Sequence, residues 1–274
     1  MNLIPLAFYL VAAVAYSLHF ARRSPFGGRV ATTILVGAAL SHTFVIGMQT
    51  MATGHVPLAG TTSAISTFVW LLALSYLYTE LTTDERAMGV FILPLLVALQ
   101  VIPALRPSIE ERSPVLESPW FGLHVSSLLF AYASFALACV IGITYVLLFK
   151  EIKAKHLGFF YARLPSLQVL DQMNSRAIMV GWIFLTLGVV VGAVWTFDAR
   201  TTAAADPRVQ AMSVFDPKIF VALICWVVYS FELYAQWAIG WRGRRAAWLS
   251  ALAFVIVLLN FVPVSYFLTK SHNF

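Results

Sequence analysis

Long apolar stretches alternate with short polar ones along the whole chain, and this pattern predicts membrane-spanning helices. A helix needs about 20 apolar residues to cross a bilayer. Eight stretches come close to that length, and they cover residues 3–20, 30–50, 62–80, 87–104, 119–149, 176–197, 217–240 and 246–268. The fifth is too long for one crossing, so we expect its helix to continue beyond the bilayer at one end.

Basic residues are distributed unevenly between the two sides that eight spans would create. Of the 18 Lys and Arg residues, twelve lie in or beside the loops after spans one, three, five and seven. They are Arg22, Arg23, Arg29, Arg86, Lys150, Lys153, Lys155, Arg163, Arg176, Arg242, Arg244 and Arg245. Because Lys and Arg are enriched in cytoplasmic loops, both termini are predicted to lie on the outer, periplasmic side.

Composition supports a protein that has the bilayer as its solvent. Hydrophobic residues make up 60% of the chain and charged residues 11%, a balance that a soluble domain of 274 residues cannot bury. The prediction is an all-α integral membrane protein, a single bundle of about eight transmembrane helices formed by residues 1–274. We expect it in the bacterial inner (cytoplasmic) membrane.

The net charge of +6 follows from this topology and is no sign of nucleic-acid binding. The basic cluster at 240–248 is expected to anchor the chain to lipid phosphate. Cys139 and Cys225 lie in different apolar stretches and form no Cys-x-x-Cys pair. We therefore expect no dithiol chemistry of the chain itself.

Candidate ligand-binding residues gather on the predicted outer face. His124 falls at the outer end of span five, His272 follows span eight, and residues 215–218 (Phe-Asp-Pro-Lys) open span seven. Two imidazoles on separate helices are able to bind a haem iron from both axial sides, and a basic side chain such as Lys218 is able to pair with a propionate. The alternatives are an interfacial histidine belt, a helix cap at Asp216 and a lysine that extends to the lipid headgroups.

Other polar and small residues lie inside the apolar stretches. His42, within span two, is a candidate for one side of an intramembrane haem site or, alternatively, a hydrogen-bonded packing residue. Glu232, one turn before Gln236 in span seven, points to a functional role or to a structural hydrogen-bond network. Gly188 and Gly192 have the four-residue spacing of a close helix-packing seam.

Five stretches match the segments of one known membrane protein family, in the family's own order. They are "GHVPLAGTTSAISTFVW" at 54–70, "LESPWFGLHVSSLLFAYASF" at 116–135, "LPSLQVLDQMNSRAIMVGWIFLTLGVVVGAVW" at 164–195, "FDPKIFVALICWVVYSFELYAQWAIGWRGRRAAWLS" at 215–250 and the terminal "SHNF". Together they resemble the CcsA branch of the cytochrome c assembly protein family, whose members handle haem. The five matches are collinear, and the resemblance extends from residue 54 to residue 274, which is more than half of the chain.

The resemblance implies roles for particular residues. It implies that His124 and His272 are the axial ligands of haem b on the outer face, on either side of a loop at 195–218. Trp195 stands where the family's tryptophan-rich loop begins, and Phe215, Asp216 and Lys218 stand where it ends. The family presents reduced haem to the Cys-x-x-Cys-His thiols of apocytochrome c, so a CcsB/ResB-like membrane subunit and apocytochrome c are the implied partners. The chain would then be a subunit of a cytochrome c haem lyase.

The chain also departs from the family's pattern. Its loop contains one Trp where the family has several, and Ile219 replaces the family's Glu. Tyr234 stands where the family has a second intramembrane histidine; a tyrosine is able to bind haem iron, but it is also a common packing residue. These departures leave a second hypothesis, a non-catalytic accessory or assembly subunit of the same fold, like the HemX-type and YpjD-type relatives.

Overall fold

The computed structural model describes residues 2–58, 60–106, 118–155, 158–202, 209–210 and 216–259. These residues form helices and no strand. The helices are α1 (Leu3–Arg22), α2 (Pro25–Thr53), α3 (Thr61–Thr83), α4 (Gly89–Leu105), α5 (Pro119–Lys153), α6 (Phe159–Arg163), α7 (Leu167–Thr202), α8 (Pro217–Trp237) and α9 (Arg244–Leu259).

Six of the described helices, α1, α2, α3, α5, α7 and α8, are long and apolar enough to cross a membrane. The chain is thus a multi-pass helical membrane protein. The fourth predicted span forms α4, which has only 17 residues. The eighth forms α9 over 16 residues, and 260–268 lie outside the described part of the chain. Eight crossings and an outer location of both termini therefore stay predictions.

Several helices extend beyond the apolar stretches that predicted them. Helix α5 is continuous over 35 residues, so at 1.5 Å per residue it is about 52 Å long, more than the roughly 30 Å hydrocarbon layer. Helix α7 begins at Leu167, whereas the apolar stretch predicted a start at 176. Asp171, Gln172, Asn174 and Ser175 lower the mean hydropathy there without breaking the helix. Helix α2 begins at Pro25, where the Ser24 hydroxyl accepts a hydrogen bond from the Gly27 amide at 3.2 Å.

Helices α5 and α7 pack against each other along most of their length and form the centre of the bundle. Helix α1 packs on α2 and α4, α3 on α5, and α9 on α5 and α8. Glycines on α7 allow the close approach. A Cβ at Gly188 would lie 2.6 Å from Leu128 Cδ2, and a Cβ at Gly192 would lie 2.5 Å from His124 Cε1. The seam predicted at Gly188 and Gly192 is therefore confirmed as a place where α7 meets α5 closely.

Helices α5 and α9 also approach each other closely, at Gly142, and this contact leads to a prediction about stability. A Cβ at Gly142 would lie 2.7 Å from the backbone carbonyl oxygen of Ala247. Since a backbone atom cannot rotate away, Gly142→Ala is expected to lower the free energy of unfolding by about 1–3 kcal/mol. Equilibrium unfolding of the purified protein in mixed detergent micelles measures this change.

The control for that prediction is Gly47→Ala in α2, where an added Cβ would meet nothing within 4 Å. There the free energy of unfolding is expected to rise by about 0.5–1 kcal/mol, the usual helix-interior difference between Ala and Gly. Equal effects of the two substitutions would show that the α5–α9 contact is not as tight as the structure has it.

Candidate functional site

The start of helix α5 positions His124 against α7. Ser118 is the N-cap residue of α5 and Pro119 occupies its first turn, so the chain enters the helix in a defined direction. The Ser118 hydroxyl also lies 3.4 Å from Asp198 Oδ2 on α7. His124 follows in the second turn, and its half-buried side chain is directed toward α7.

One hydrogen bond determines the tautomer of His124. Its Nδ1 lies 2.7 Å from the carbonyl oxygen of Gly188. A carbonyl oxygen only accepts hydrogen bonds, so Nδ1 carries the hydrogen and Nε2 of the neutral ring carries the lone pair. Metal-binding histidines are commonly oriented in this way, by a hydrogen bond from the other ring nitrogen to a carbonyl or carboxylate.

The surroundings of the His124 ring are aromatic on one side and very tight on the other. The ring of Trp195, which is 2% exposed, lies nearly parallel to the imidazole, with centroids 6.0 Å apart and an interplanar angle of 19°. Phe121 packs on Trp195 at 5.2 Å. A Cβ at Gly192 would lie 2.5 Å from His124 Cε1. We name Phe121, His124, Gly188, Gly192 and Trp195 the His124 cluster.

The predicted cap at the start of α8 is confirmed. The Asp216 carboxylate, which is buried, accepts a hydrogen bond from the Lys218 amide at 2.9 Å, and Pro217 occupies the first helical position. Hydrogen bonds between Trp182 and Ser230 and between Trp226 and Thr186 show that α7 and α8 are antiparallel, so Asp216 lies at the same end of the bundle as Trp195. Phe215 and His272 lie outside the described residues, so the pairing of His272 with His124 stays a prediction.

The two intramembrane candidates, His42 and Tyr234, are not brought together in the described part of the bundle. His42 is fully buried; its Nδ1 lies 3.1 Å from the Tyr9 hydroxyl and its Nε2 3.0 Å from the Ser66 hydroxyl. These contacts agree with the second interpretation of His42, a hydrogen-bonded packing residue. Tyr234 is 60% exposed on α8, which packs on α7 and α9, whereas α2 packs on α1 and α3.

Glu80 is a buried acid that the sequence analysis did not identify as a polar site. Glu80 is 1% exposed and accepts hydrogen bonds from the Tyr16 hydroxyl at 2.6 Å and the Thr32 hydroxyl at 2.5 Å. Arg86 Nε donates to the same Thr32 oxygen at 3.2 Å. The sequence did contain a signal for this site, because Glu80 is an acid at the end of the apolar stretch 62–80. An ionisable group at membrane depth requires partners.

Glu232 belongs to a hydrogen-bond network, as one of its two interpretations predicted. It is fully buried, and its Oε1 accepts a hydrogen bond from the Ser250 hydroxyl at 2.5 Å. Asn174 Nδ2 donates to the same hydroxyl at 3.0 Å. The partners thus come from α7 and α9, so the network joins three helices through one serine.

Comparison with known proteins decides the family. The family described as "Cytochrome C assembly protein" matches residues 3–272. The chain belongs to the cytochrome c assembly protein family. A "Cytochrome c biogenesis protein CcsA" from Guillardia theta is 28% identical over 263 residues, covering 89% of this chain and 84% of that protein. Proteins of the same name from Trieres chinensis and Prochlorococcus marinus (strain MIT 9303) are 25% and 24% identical, covering 84% and 96% of this chain and 81% and 86% of their own lengths.

Membership of the cytochrome c assembly protein family confirms the resemblance that five separate stretches indicated. The match covers nearly the whole chain and includes both His124 and His272. Within the described part of the bundle, the His124 cluster brings together an imidazole oriented by a backbone carbonyl, a flanking indole and a glycine-lined helix face. It is therefore the candidate site.

Proposed function

We propose that this member of the cytochrome c assembly protein family is a haem-binding membrane component of cytochrome c maturation. It holds haem b on the outer face between His124 and His272, for attachment to apocytochrome c. Relatives named cytochrome c biogenesis protein CcsA, aligned over more than four fifths of their lengths, support the role in maturation. The 2.7 Å hydrogen bond from His124 Nδ1 to the Gly188 carbonyl carries the proposal for the site.

Each residue of the site has a separate task in this proposal. The Gly188 carbonyl keeps the His124 proton on Nδ1, so that Nε2 is the ligand nitrogen. Trp195 flanks the imidazole and Phe121 packs on Trp195, so the two aromatic rings limit the access of water from that side. The predicted loop 195–218 is helical over 195–202, the last two turns of α7, and again from Pro217, where Asp216 caps α8. The cap places Lys218 in the first turn of α8, where its ammonium would form a charge-assisted hydrogen bond to a propionate.

The chemistry itself needs little from the chain. When bound, haem supplies the vinyl groups to which the cysteine thiols of an apocytochrome Cys-x-x-Cys-His sequence add. The chain's contribution is to position the group and to limit its exposure to water. A CcsB/ResB-like membrane subunit would bring the apocytochrome to this face, and lyase activity would belong to the complex. The bacterial inner membrane, with the site on the periplasmic side, is the proposed location.

The visible spectrum of the purified, reduced protein tests the proposal. We expect the α-band of a haem iron with two imidazole ligands, and its loss in both His124→Ala and His272→Ala. The control is His19→Ala, which removes an imidazole near the α1–α2 turn, where His19 Nδ1 lies 3.0 Å from the Ser24 carbonyl oxygen. This variant is expected to keep the band.

Two outcomes of that experiment would contradict the proposal. A wild-type protein that stays colourless after reconstitution with haem would favour the accessory-subunit hypothesis. A band that persists in His124→Ala would show that another side chain binds the iron, whatever the role of the chain in cytochrome c maturation.

A further inference from the structure

Helices α7 and α8 leave an apolar groove between them on the surface of the bundle. It has a volume of about 510 Å³. The side chains that line it lie one helical turn apart on each helix, and they include Met179, Trp182 and Ile183 on α7 and Leu233, Tyr234 and Trp237 on α8. Ile183, Tyr234 and Trp237 are each about half exposed or more, so the groove is open along its length.

Two indole hydrogen bonds close one end of the groove. Trp182 Nε1 donates to the Ser230 hydroxyl at 2.7 Å, and one turn further along, Trp226 Nε1 donates to the Thr186 hydroxyl at 2.9 Å. These bonds hold α7 and α8 together there and satisfy the polar atoms of the closed end. What remains inside is a surface suited to a hydrocarbon chain.

The opposite end of the groove is polar and basic. A second cavity of about 180 Å³ adjoins it, and Trp237 lines both. Arg176 and Arg242 line this second cavity together with a single acid, Asp171. The Asp171 carboxylate accepts a hydrogen bond from the Gly243 amide at 2.7 Å, and Arg176 donates to the Thr82 carbonyl oxygen.

We propose that this α7–α8 groove binds one anionic phospholipid, with an acyl chain in the apolar part and the phosphate at Arg176 and Arg242. The two parts form one amphipathic site, because Trp237 belongs to both. The charge of the second cavity favours an anionic headgroup, because Arg176 and Arg242 carry two positive charges against the one negative charge of Asp171. Guanidinium groups also bind phosphate oxygens well. Arg176 and Arg242 also belong to the side of the bundle that has the Lys- and Arg-rich loops. Basic residues next to a membrane attract anionic lipid headgroups. This proposal does not depend on haem binding.

Native mass spectrometry of the detergent-purified protein with added phosphatidylglycerol tests the site. Phosphatidylglycerol is expected to bind more tightly than phosphatidylcholine of the same chain length. In the double variant Arg176→Gln, Arg242→Gln, the dissociation constant for phosphatidylglycerol is expected to rise about 30-fold, as follows for two basic residues facing an anionic lipid. The control is Arg22→Gln, Arg23→Gln, which removes the same charge at the end of α1, a helix that packs on α2 and α4, and is expected to leave the constant within about twofold.

A charge-neutral variant examines the apolar part separately. Ala238→Phe fills the groove beside Trp237 and is expected to weaken phosphatidylglycerol binding while the helical circular dichroism spectrum is unchanged. Equal binding of the two lipids, or an equal loss in the α1 control, would contradict the proposal. So would an unchanged dissociation constant for phosphatidylglycerol in the Arg176, Arg242 double variant.

Discussion

Gly192→Ala is expected to weaken haem binding about 10–100-fold while the bundle stays folded. A Cβ at this position would lie 2.5 Å from Cε1 and 2.6 Å from Nδ1 of His124. The imidazole is the end of a side chain, so it would rotate away, and it would then lose the hydrogen bond to the Gly188 carbonyl that orients it. Titration of the purified variant with haem, followed by absorbance, measures the loss.

The control for this substitution is Gly122→Ala, two residues before His124 on the same helix. An added Cβ there would meet nothing within 4 Å, so haem affinity is expected to be unchanged. If Gly192→Ala binds haem like the wild type while His124→Ala does not, His124 is a ligand whose orientation does not depend on Gly188. If neither variant changes binding, the proposed site itself is wrong.

Glu80→Ala is expected to lower the free energy of unfolding by about 2–4 kcal/mol. The carboxyl group is 1% exposed and receives hydrogen bonds from α1, through Tyr16, and from α2, through Thr32. Its removal would take the acceptor from the Tyr16 hydroxyl, leave the Thr32 hydroxyl only the Gly28 carbonyl oxygen at 3.1 Å, and open a cavity where three helices meet. Equilibrium unfolding in mixed detergent micelles, followed by circular dichroism, measures the change.

Two further variants separate shape from charge at this position. Glu80→Gln keeps the side-chain volume and a carbonyl acceptor, so it is expected to cost about 1 kcal/mol. Asp84→Asn removes a charge from an acid that is 86% exposed at the end of the same helix, together with its surface ion pair to Arg86 at 2.9 Å, and it is expected to change stability by less than about 1 kcal/mol. A Glu80→Ala protein as stable as the Asp84→Asn protein would show that the Tyr16–Glu80–Thr32 contacts contribute little.

Helix starts were among the features that local patterns predicted best. Helices α1, α3, α5 and α8 begin at Leu3, Thr61, Pro119 and Pro217, at or beside the starts read from the apolar stretches. In α5 and α8 a proline at the first turn marks the boundary, and such signals need no other part of the chain. The start of α7 was missed because hydropathy detects lipid contact and not helicity, and Leu167 precedes a polar segment.

The family and the class of fold were already determined by the order of residues along the chain, because apolar length, loop charge and short motifs are local properties. The same holds for the Asp216 cap and the glycine seam, each of which rests on residues a few positions apart. The hydrogen-bond partners of buried polar side chains, in contrast, are determined by the tertiary structure. The Nδ1 proton of His124 is fixed by Gly188, and the acid of Glu80 is satisfied by Tyr16, each across 64 positions of sequence. Hydrogen bonds between helices depend on which faces meet, and a one-dimensional pattern does not contain that information.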